Sequence, residues 1–228
     1  MSATTRWWWI RHAPVTGHDG RLYGALDVPC DTSDDASFAG LARNLPADAV
    51  WVTSHLSRAR DTAAAIVAAE DGHLLAAPEP LVEEDFGEQD FGAWQGLAWA
   101  EMETYDPAAY RAFWDNPAGS APPGGESFAD LIDRAAAVIA RLNAAHAGRD
   151  IVAVTHGGTI RAAMAVALDL SPNKAMSVVV DNLSLTRLEF IEGGLLRGHG
   201  GQWRISAVNL PPRPLHEMPD RPKRMYER

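Results

Sequence analysis

Thr4-Thr5-Arg6-Trp7-Trp8-Trp9-Ile10-Arg11-His12 and Ile151-Val152-Ala153-Val154-Thr155-His156-Gly157-Gly158 are the two stretches from which the fold is read. In the first, β-branched and aromatic residues run unbroken to Ile10, and Pro14, Gly17 and Gly20 then interrupt the chain, which reads as a buried strand entering a loop. In the second, an equally apolar run meets a pair of glycines and then the helical pattern Thr159 to Leu170: strand, tight turn, helix. In open α/β sheets ligands sit beyond the carboxyl ends of the strands, where helix amino termini offer unpaired N–H groups to anions. Both histidines fall at such ends. Arg11 selects the kind of ligand, because a fixed guanidinium charge opposes a metal cation and suits a doubly charged phosphate.

A third segment has the same form. Ala49-Val50-Trp51-Val52-Thr53 reads as a strand, and Ser54-His55-Leu56-Ser57-Arg58-Ala59-Arg60-Asp61-Thr62 opens an alanine-rich helix, with Ser54 read as its cap rather than as a nucleophile. Arg58 falls in the first turn, where the helix dipole disfavours a cation unless an anionic ligand is near. Thr62 shares its face, whereas Arg60 points elsewhere and is expected to pair at the surface with Asp61 or Glu70.

Arg11-His12-Ala13, Ser54-x-x-x-Arg58-Ala59-x-x-Thr62 and His156-Gly157-Gly158, in this order, resemble the histidine phosphatase superfamily, which includes cofactor-dependent phosphoglycerate mutases. The resemblance spans roughly residues 5 to 205, with Arg-His-Ala standing where the family usually has Arg-His-Gly. It implies a phosphoglycerate mutase-like α/β fold: a three-layer sandwich with a mostly parallel central sheet and helices on both faces. It also implies that His12 is the nucleophile and that Arg11, Arg58, His156 and Gly157 line a phosphate pocket. His18 stands where many relatives carry a pocket asparagine, and is either a phosphate contact or a surface residue.

Expelling an alkoxide needs a proton donor. Glu83-Glu84-Asp85-Phe86-Gly87 and Glu88-Gln89-Asp90-Phe91-Gly92 are near copies, and both resemble the family's Glu-x-Asp-Phe-Gly. Only the second continues into Ala93-Trp94-Gln95-Gly96, matching the family's Trp-x-Gly, so Glu88 resembles the acid, with Glu83 and Glu84 as competitors; the bland alternative is a solvated acidic loop. The chemistry then assembles as attack by neutral His12, with Arg11, Arg58 and a protonated His156 neutralising the charge on the equatorial oxygens, and Glu88 serving as acid and then as base. Two neighbouring arginines lower the pKa of His12, and a substrate phosphate raises it again.

The 228 residues, 46% hydrophobic, suffice for one domain over residues 1–210, with a helical lid insertion at about 82–125 and a proline-rich tail over 211–228. A net charge of −10 argues against nucleic acid and anionic membranes and for a small phosphate ester drawn in by a local basic pocket. One cysteine gives no disulfide framework, and the apolar N-terminal run is too short for a signal peptide or membrane span, so the expected location is the cytoplasm. Cys30 has Ala36 where a Cys-x5-Arg phosphatase needs arginine, and no Gly-x-Ser-x-Gly elbow, Walker loop or His-Glu-x-x-His occurs. His18, His73, His146, His199 and His216 are scattered without ligand spacing, so neither a metal nor an organic cofactor is expected. A homodimer is left open.

Leu97 to Asn116 reads as short aromatic helices followed by a Pro/Gly stretch to Gly125, and Trp99, Tyr105, Tyr110, Phe113 and Trp114 are either helix core or an apolar wall for the substrate. Phe128, Leu131, Ile132, Ala135, Val138, Ile139 and Leu142 recur at helical spacing and read as core. Pro122-Pro123-Gly124-Gly125-Glu126-Ser127 resembles a segment of the family's phosphatase members. Strands are expected again at Ala175 to Val180, Ser184 to Ile191 and Trp203 to Val208. Arg11-His12-Ala13-Pro14-Val15 with Tyr23-Gly24-x-x-Asp27-Val28-Pro29 resembles α-ribazole phosphatase-type members, although the second segment reads equally as a structural turn. Three functions stay in play: phosphomonoesterase, phosphosugar mutase and idle phosphate-binding module. A mutase must grip a second anionic group with more basic residues than Glu88 to Glu101 offers, which favours hydrolysis.

Overall fold

The computed structural model describes residues 3–69, 79–195 and 201–214, and among these described residues seven helices surround a six-stranded sheet. The elements run β1 (Thr4–Arg11), α1 (Asp35–Asn44), β2 (Val50–Thr53), α2 (Ser57–Ala68), β3 (Leu81–Val82), α3 (Trp99–Tyr105), α4 (Pro107–Asp115), α5 (Phe128–Ala145), β4 (Asp150–Thr155), α6 (Gly157–Leu168), α7 (Pro172–Ala175), β5 (Leu185–Ile191) and β6 (Trp203–Leu210). The sheet order is β3-β2-β4-β1-β5-β6, parallel from β3 to β1, with β5 antiparallel to both β1 and β6.

Residues alternate across the pleat, so each apolar strand supplies two cores. Trp7, Trp9, Ile151 and Ala153 pack with Phe128, Leu131, Ile139 and Ile160 of α5 and α6, while Ile10, Val152 and Val154 pack on the other face with Phe38, Leu41, Ala63 and Ile66 of α1 and α2. The fold is thus the α/β sandwich anticipated from sequence, with helices on both faces. Trp7 and Trp9 stack at 4.8 Å, and Phe86 meets Trp9 edge-on at 5.3 Å, which makes the first Asp-Phe-Gly copy part of the main core.

The strand expected at Ala175 to Val180 does not form. Pro172 presets the first turn of α7, and the apolar run after it is a loop whose carbonyls serve arginines: Val178 O accepts from Arg161 Nε at 2.8 Å and Val180 O from Arg11 Nη1 at 2.7 Å. A satellite cluster of Trp94, Met102 and Phe113, with Trp99 and Tyr110 half-buried against it, holds α3 and α4 together, whereas Tyr105 and Trp114 are exposed. These aromatics are mostly local core. Arg213 of the tail pairs with Asp34 at 3.1 Å; Glu70, His73, His199, His216 and residues 215–228 lie outside the described residues. Among the described residues no helix is long and apolar enough to cross a membrane.

Candidate active site

Parallel pairing of β1 with β4 sets Arg11 opposite Thr155, so His12 and His156, each one residue past its strand, become neighbours with ring centroids 5.2 Å apart. His12 Nδ1 lies 2.7 Å from Ala13 O; a carbonyl only accepts, so the proton sits on Nδ1 and Nε2 carries the lone pair. That Nε2 is buried without a partner. Thr62 Oγ1 accepts from Ala13 N at 2.9 Å and donates to Arg58 O at 2.6 Å, which ties the loop after His12 to the first turn of α2. The face shared by Arg58 and Thr62 is therefore used as anticipated. Arg60 is exposed and makes no ion pair among the described residues, correcting the expected pairing with Asp61.

Arg58 is fully buried; its Nη1 and Nη2 donate to Leu26 O and Gly24 O at 2.6 Å each. Asp27 fixes this loop, its Oδ1 accepting from both Ser57 N and Ser57 Oγ at 2.7 Å, so Asp27 supplies from outside the cap that α2 lacks at Leu56. Ser54 is not that cap. Its hydroxyl accepts from Leu56 N at 3.3 Å and bonds His156 Nε2 at 2.7 Å, because the chain stays extended until Ser57 and carries Ser54 into the pocket. With Leu56 N filling one lone pair, the hydroxyl keeps a second lone pair and its proton, so the direction of its bond to His156 Nε2 follows the tautomer of that ring. Arg11 Nε, His12 Nε2, Arg58 Nε and His156 Nδ1 are all buried and unpaired at the carboxyl ends of the strands, where a bound ligand would satisfy them. Cavities of about 580 and 550 Å³ lie elsewhere, beneath the tail against α1 and at the amino ends of the strands, so these unpaired atoms mark the site better than size does.

Burial and then the Arg11 charge hold His12 well below the ordinary histidine value of 6.5; the Ala13 bond opposes them, and Arg58 adds a smaller lowering. Burial, then His12, Arg58 and Arg11, do the same to His156. In the ligand-free site these groups favour neutral imidazoles, whereas the protonated His156 expected from sequence belongs to the phosphate-bound state, in which the added anion opposes the shifts. The unfolded chain, with ordinary histidines, binds more protons than the native one below 6.5. The stabilising contribution is therefore complete above that pH and lost as pH falls beneath it. We expect the thermal midpoint to drop on acidification below about pH 6.5, and His12→Asn to flatten that drop, measured by unfolding from pH 7.5 to 4.5; an unchanged slope contradicts the neutral pair.

The acidic candidates separate cleanly. Glu83 pairs with Arg141 at 2.6 Å and Glu84 is exposed, whereas the Glu88 carboxylate accepts from Gly158 N at 3.0 Å at the start of α6. An added Cβ at Gly158 would collide with Glu88 Oε1 and lie 2.8 Å from Leu131 Cδ2, so it would displace the carboxylate. Gly157 has room for a methyl, 3.5 Å from Arg11 Nε. His18 is half-buried, with Nδ1 3.3 Å from Arg21 O and its ring 5.3 Å from Tyr23. Tyr23, named from sequence only as part of the segment resembling α-ribazole phosphatase-type members, lies 6.5 Å from the His12 ring and beneath Arg58 at 5.2 Å. Ser54 as a partner of His156 was missed; its place four residues before Arg58 was the available signal. Among the described residues no group of His, Cys, Asp and Glu could hold a metal.

Residues 7–200 match the histidine phosphatase superfamily, branch 1. A metal-independent phosphoserine phosphatase of Arabidopsis thaliana is 32% identical over 159 residues, covering 67% of this chain and 64% of that one. A glucosyl-3-phosphoglycerate phosphatase of Mycolicibacterium vanbaalenii is 34% identical over 175 residues, covering 71% of this chain and 73% of that one. The solved structure of a mycobacterial glucosyl-3-phosphoglycerate phosphatase superposes with a TM-score of 0.73 at 27% identity, covering 91% of this chain and 99% of that one. The first curated relatives are longer, and the chain spans 38% to 66% of their length. A superfamily match running nearly from end to end, on a sheet that sets His12 beside His156, means that this chain belongs to branch 1 of the histidine phosphatase superfamily.

Proposed function

We propose that the chain is a phosphomonoesterase that hydrolyses small phosphate esters through a phosphohistidine on His12. The observation that carries this reading is the buried, unpaired Nε2 of a neutral His12 among unpaired nitrogens of Arg11, Arg58 and His156. The Nε2 lone pair attacks phosphorus in line while the ester P–O bond breaks and Glu88 protonates the departing oxygen. Both arginines, His156 Nδ1–H and the amino terminus of α6 balance the charge on the equatorial oxygens. Water then attacks the phosphohistidine, the P–N bond breaks, and the Glu88 carboxylate takes the water's proton. His18 and Tyr23 belong to the rim, and α3 and α4 with the segment to Gly125 form the lid.

Beside Glu88 a cavity of about 360 Å³ is lined by Glu84, Asp85, Asp90 and Glu126 along with His55 and Arg134. The Arg134 guanidinium is already engaged by Glu126 and three backbone carbonyls, so the cavity is a poor grip for a second anionic group and favours hydrolysis over a mutase. Relatives named for phosphoserine and for glucosyl-3-phosphoglycerate point to an alkyl ester, the kind of leaving group that needs the acid. The Tyr23 to Pro29 segment that suggests α-ribazole 5'-phosphate has duties any substrate would share, since Asp27 caps α2 and the Gly24 and Leu26 carbonyls hold Arg58. Phosphate release from a panel containing all three esters tests the reading. With 3-phosphoglycerate and only a catalytic amount of 2,3-bisphosphoglycerate we expect free phosphate and no conversion of the 3-phosphoglycerate into 2-phosphoglycerate. Efficient interconversion overturns the phosphatase in favour of a mutase, and phosphate binding without turnover of any ester overturns it in favour of a binding module.

A further inference from the structure

The segment from Asp85 to Asp90 has almost no regular structure, so the position of Glu88 depends on where its backbone groups find partners. Thr155 and Thr159 hold the Phe86 carbonyl, Thr159 also reaches the Gly87 carbonyl, and five groups of the segment go to two residues, Arg134 and Glu126. Arg134, in the second turn of α5, donates from Nη1 to Asp85 O at 2.6 Å and Gly87 O at 3.0 Å, and from Nη2 to Glu88 O at 3.2 Å. Its Nε and Nη2 also form a bidentate pair with Glu126 at 2.9 and 2.6 Å. All five N–H groups of the guanidinium are thereby engaged. Glu126 completes the hold from the other side. Its Oε1 accepts from Asp90 N at 3.0 Å, its N–H donates to Asp90 O at 2.9 Å, and its carbonyl accepts from Gln89 Nε2 at 3.0 Å.

We propose that Arg134 and Glu126 are positioning residues for Glu88, a staple that sets its carboxylate against the amino terminus of α6 for proton transfer. The proposal rests on the reading of Glu88 as the acid under Proposed function. A half-buried ion pair by itself contributes little to folding, and a lysine could supply the charge. What only arginine supplies is a planar fork that reaches three carbonyls and both oxygens of a carboxylate together. Gly124 at φ +72° and Gly125, where a Cβ would lie 2.7 Å from Gly92 N, let the chain bring Glu126 this close to the acid loop.

Arg134→Lys keeps a cation and removes the fork. In the intact chain it should lower kcat on β-glycerophosphate by up to about 10²-fold, the scale of an ångström's misplacement, and leave the p-nitrophenol burst from p-nitrophenyl phosphate nearly unchanged. In a Glu88→Gln background it should cost nothing further, since there is no acid left to position. Equal losses on the two substrates, or a full additional loss in the double variant, overturn the proposal and leave the acid reading intact. Glu88→Gln alone reports on that reading separately; absence of a leaving-group-dependent loss there overturns both. Should thermal unfolding show that Arg134→Lys does not fold, Glu126→Gln, which keeps the shape and removes the charge, is judged by the same criteria.

Discussion

His12→Ala is expected to lower kcat on any phosphate monoester by roughly 10⁴-fold or more, the scale seen when a covalent nucleophile is removed. Guanidinium groups have no lone pair to offer, and the Ser54 hydroxyl, 2.7 Å from His156 Nε2, is the alternative acceptor that mapping of the phosphorylated residue excludes or reveals. Affinity for inorganic phosphate should survive, because Arg11, Arg58 and His156 remain. Steady-state kinetics and phosphate titration on the same preparation check both halves. A variant that retains turnover, or that loses binding and turnover in parallel, contradicts the assignment of His12 as nucleophile rather than as mere pocket wall.

The second large effect is expected at Glu88. Glu88→Gln preserves shape and removes the transferable proton, so alkyl phosphates should lose roughly 10²–10⁴-fold in kcat. Formation of phosphoenzyme from p-nitrophenyl phosphate should suffer far less, because p-nitrophenolate leaves without a proton; hydrolysis of the phosphohistidine then becomes slow and phosphoenzyme accumulates. Glu84→Gln, on an exposed side chain, should change neither. The ratio of the two losses in rapid-mixing kinetics is the readout. Small, equal losses at Glu88 with a large loss at Glu83 or Glu84 would move the acid to the first copy of the motif, against the 3.0 Å bond that Gly158 N makes to Glu88.

The strand ends were legible because apolar runs stop at chemically distinctive residues: Ile10 before Arg11-His12, Val154 before Thr155-His156, Thr53 before Ser54. Order and spacing then brought Arg11, His12, Arg58 and His156 to one end of the sheet. What local pattern could not reveal is where backbone carbonyls find donors. Val178 and Val180 look like strand residues and act as acceptors for Arg161 and Arg11; Ser54 looks like a cap and is a partner of His156. Similarly, the two Asp-Phe-Gly copies are told apart in sequence by the Ala93-Trp94-Gln95-Gly96 run after the second. In space they differ by a core-buried Phe86 within the first and the amino terminus of α6 beside Glu88 of the second. Arg134 and Asp27 act at long range through the chain's own loops, and nothing in their immediate sequence neighbours announces it.

Rapid mixing with p-nitrophenyl phosphate, quenching in base and mapping of the modified peptide tests the central claim most directly. The account predicts one phosphate on His12, stable in base and lost in acid, more abundant in Glu88→Gln and absent from His12→Ala. Phosphate found on Ser54, acid-stable and persisting in His12→Ala, would contradict it.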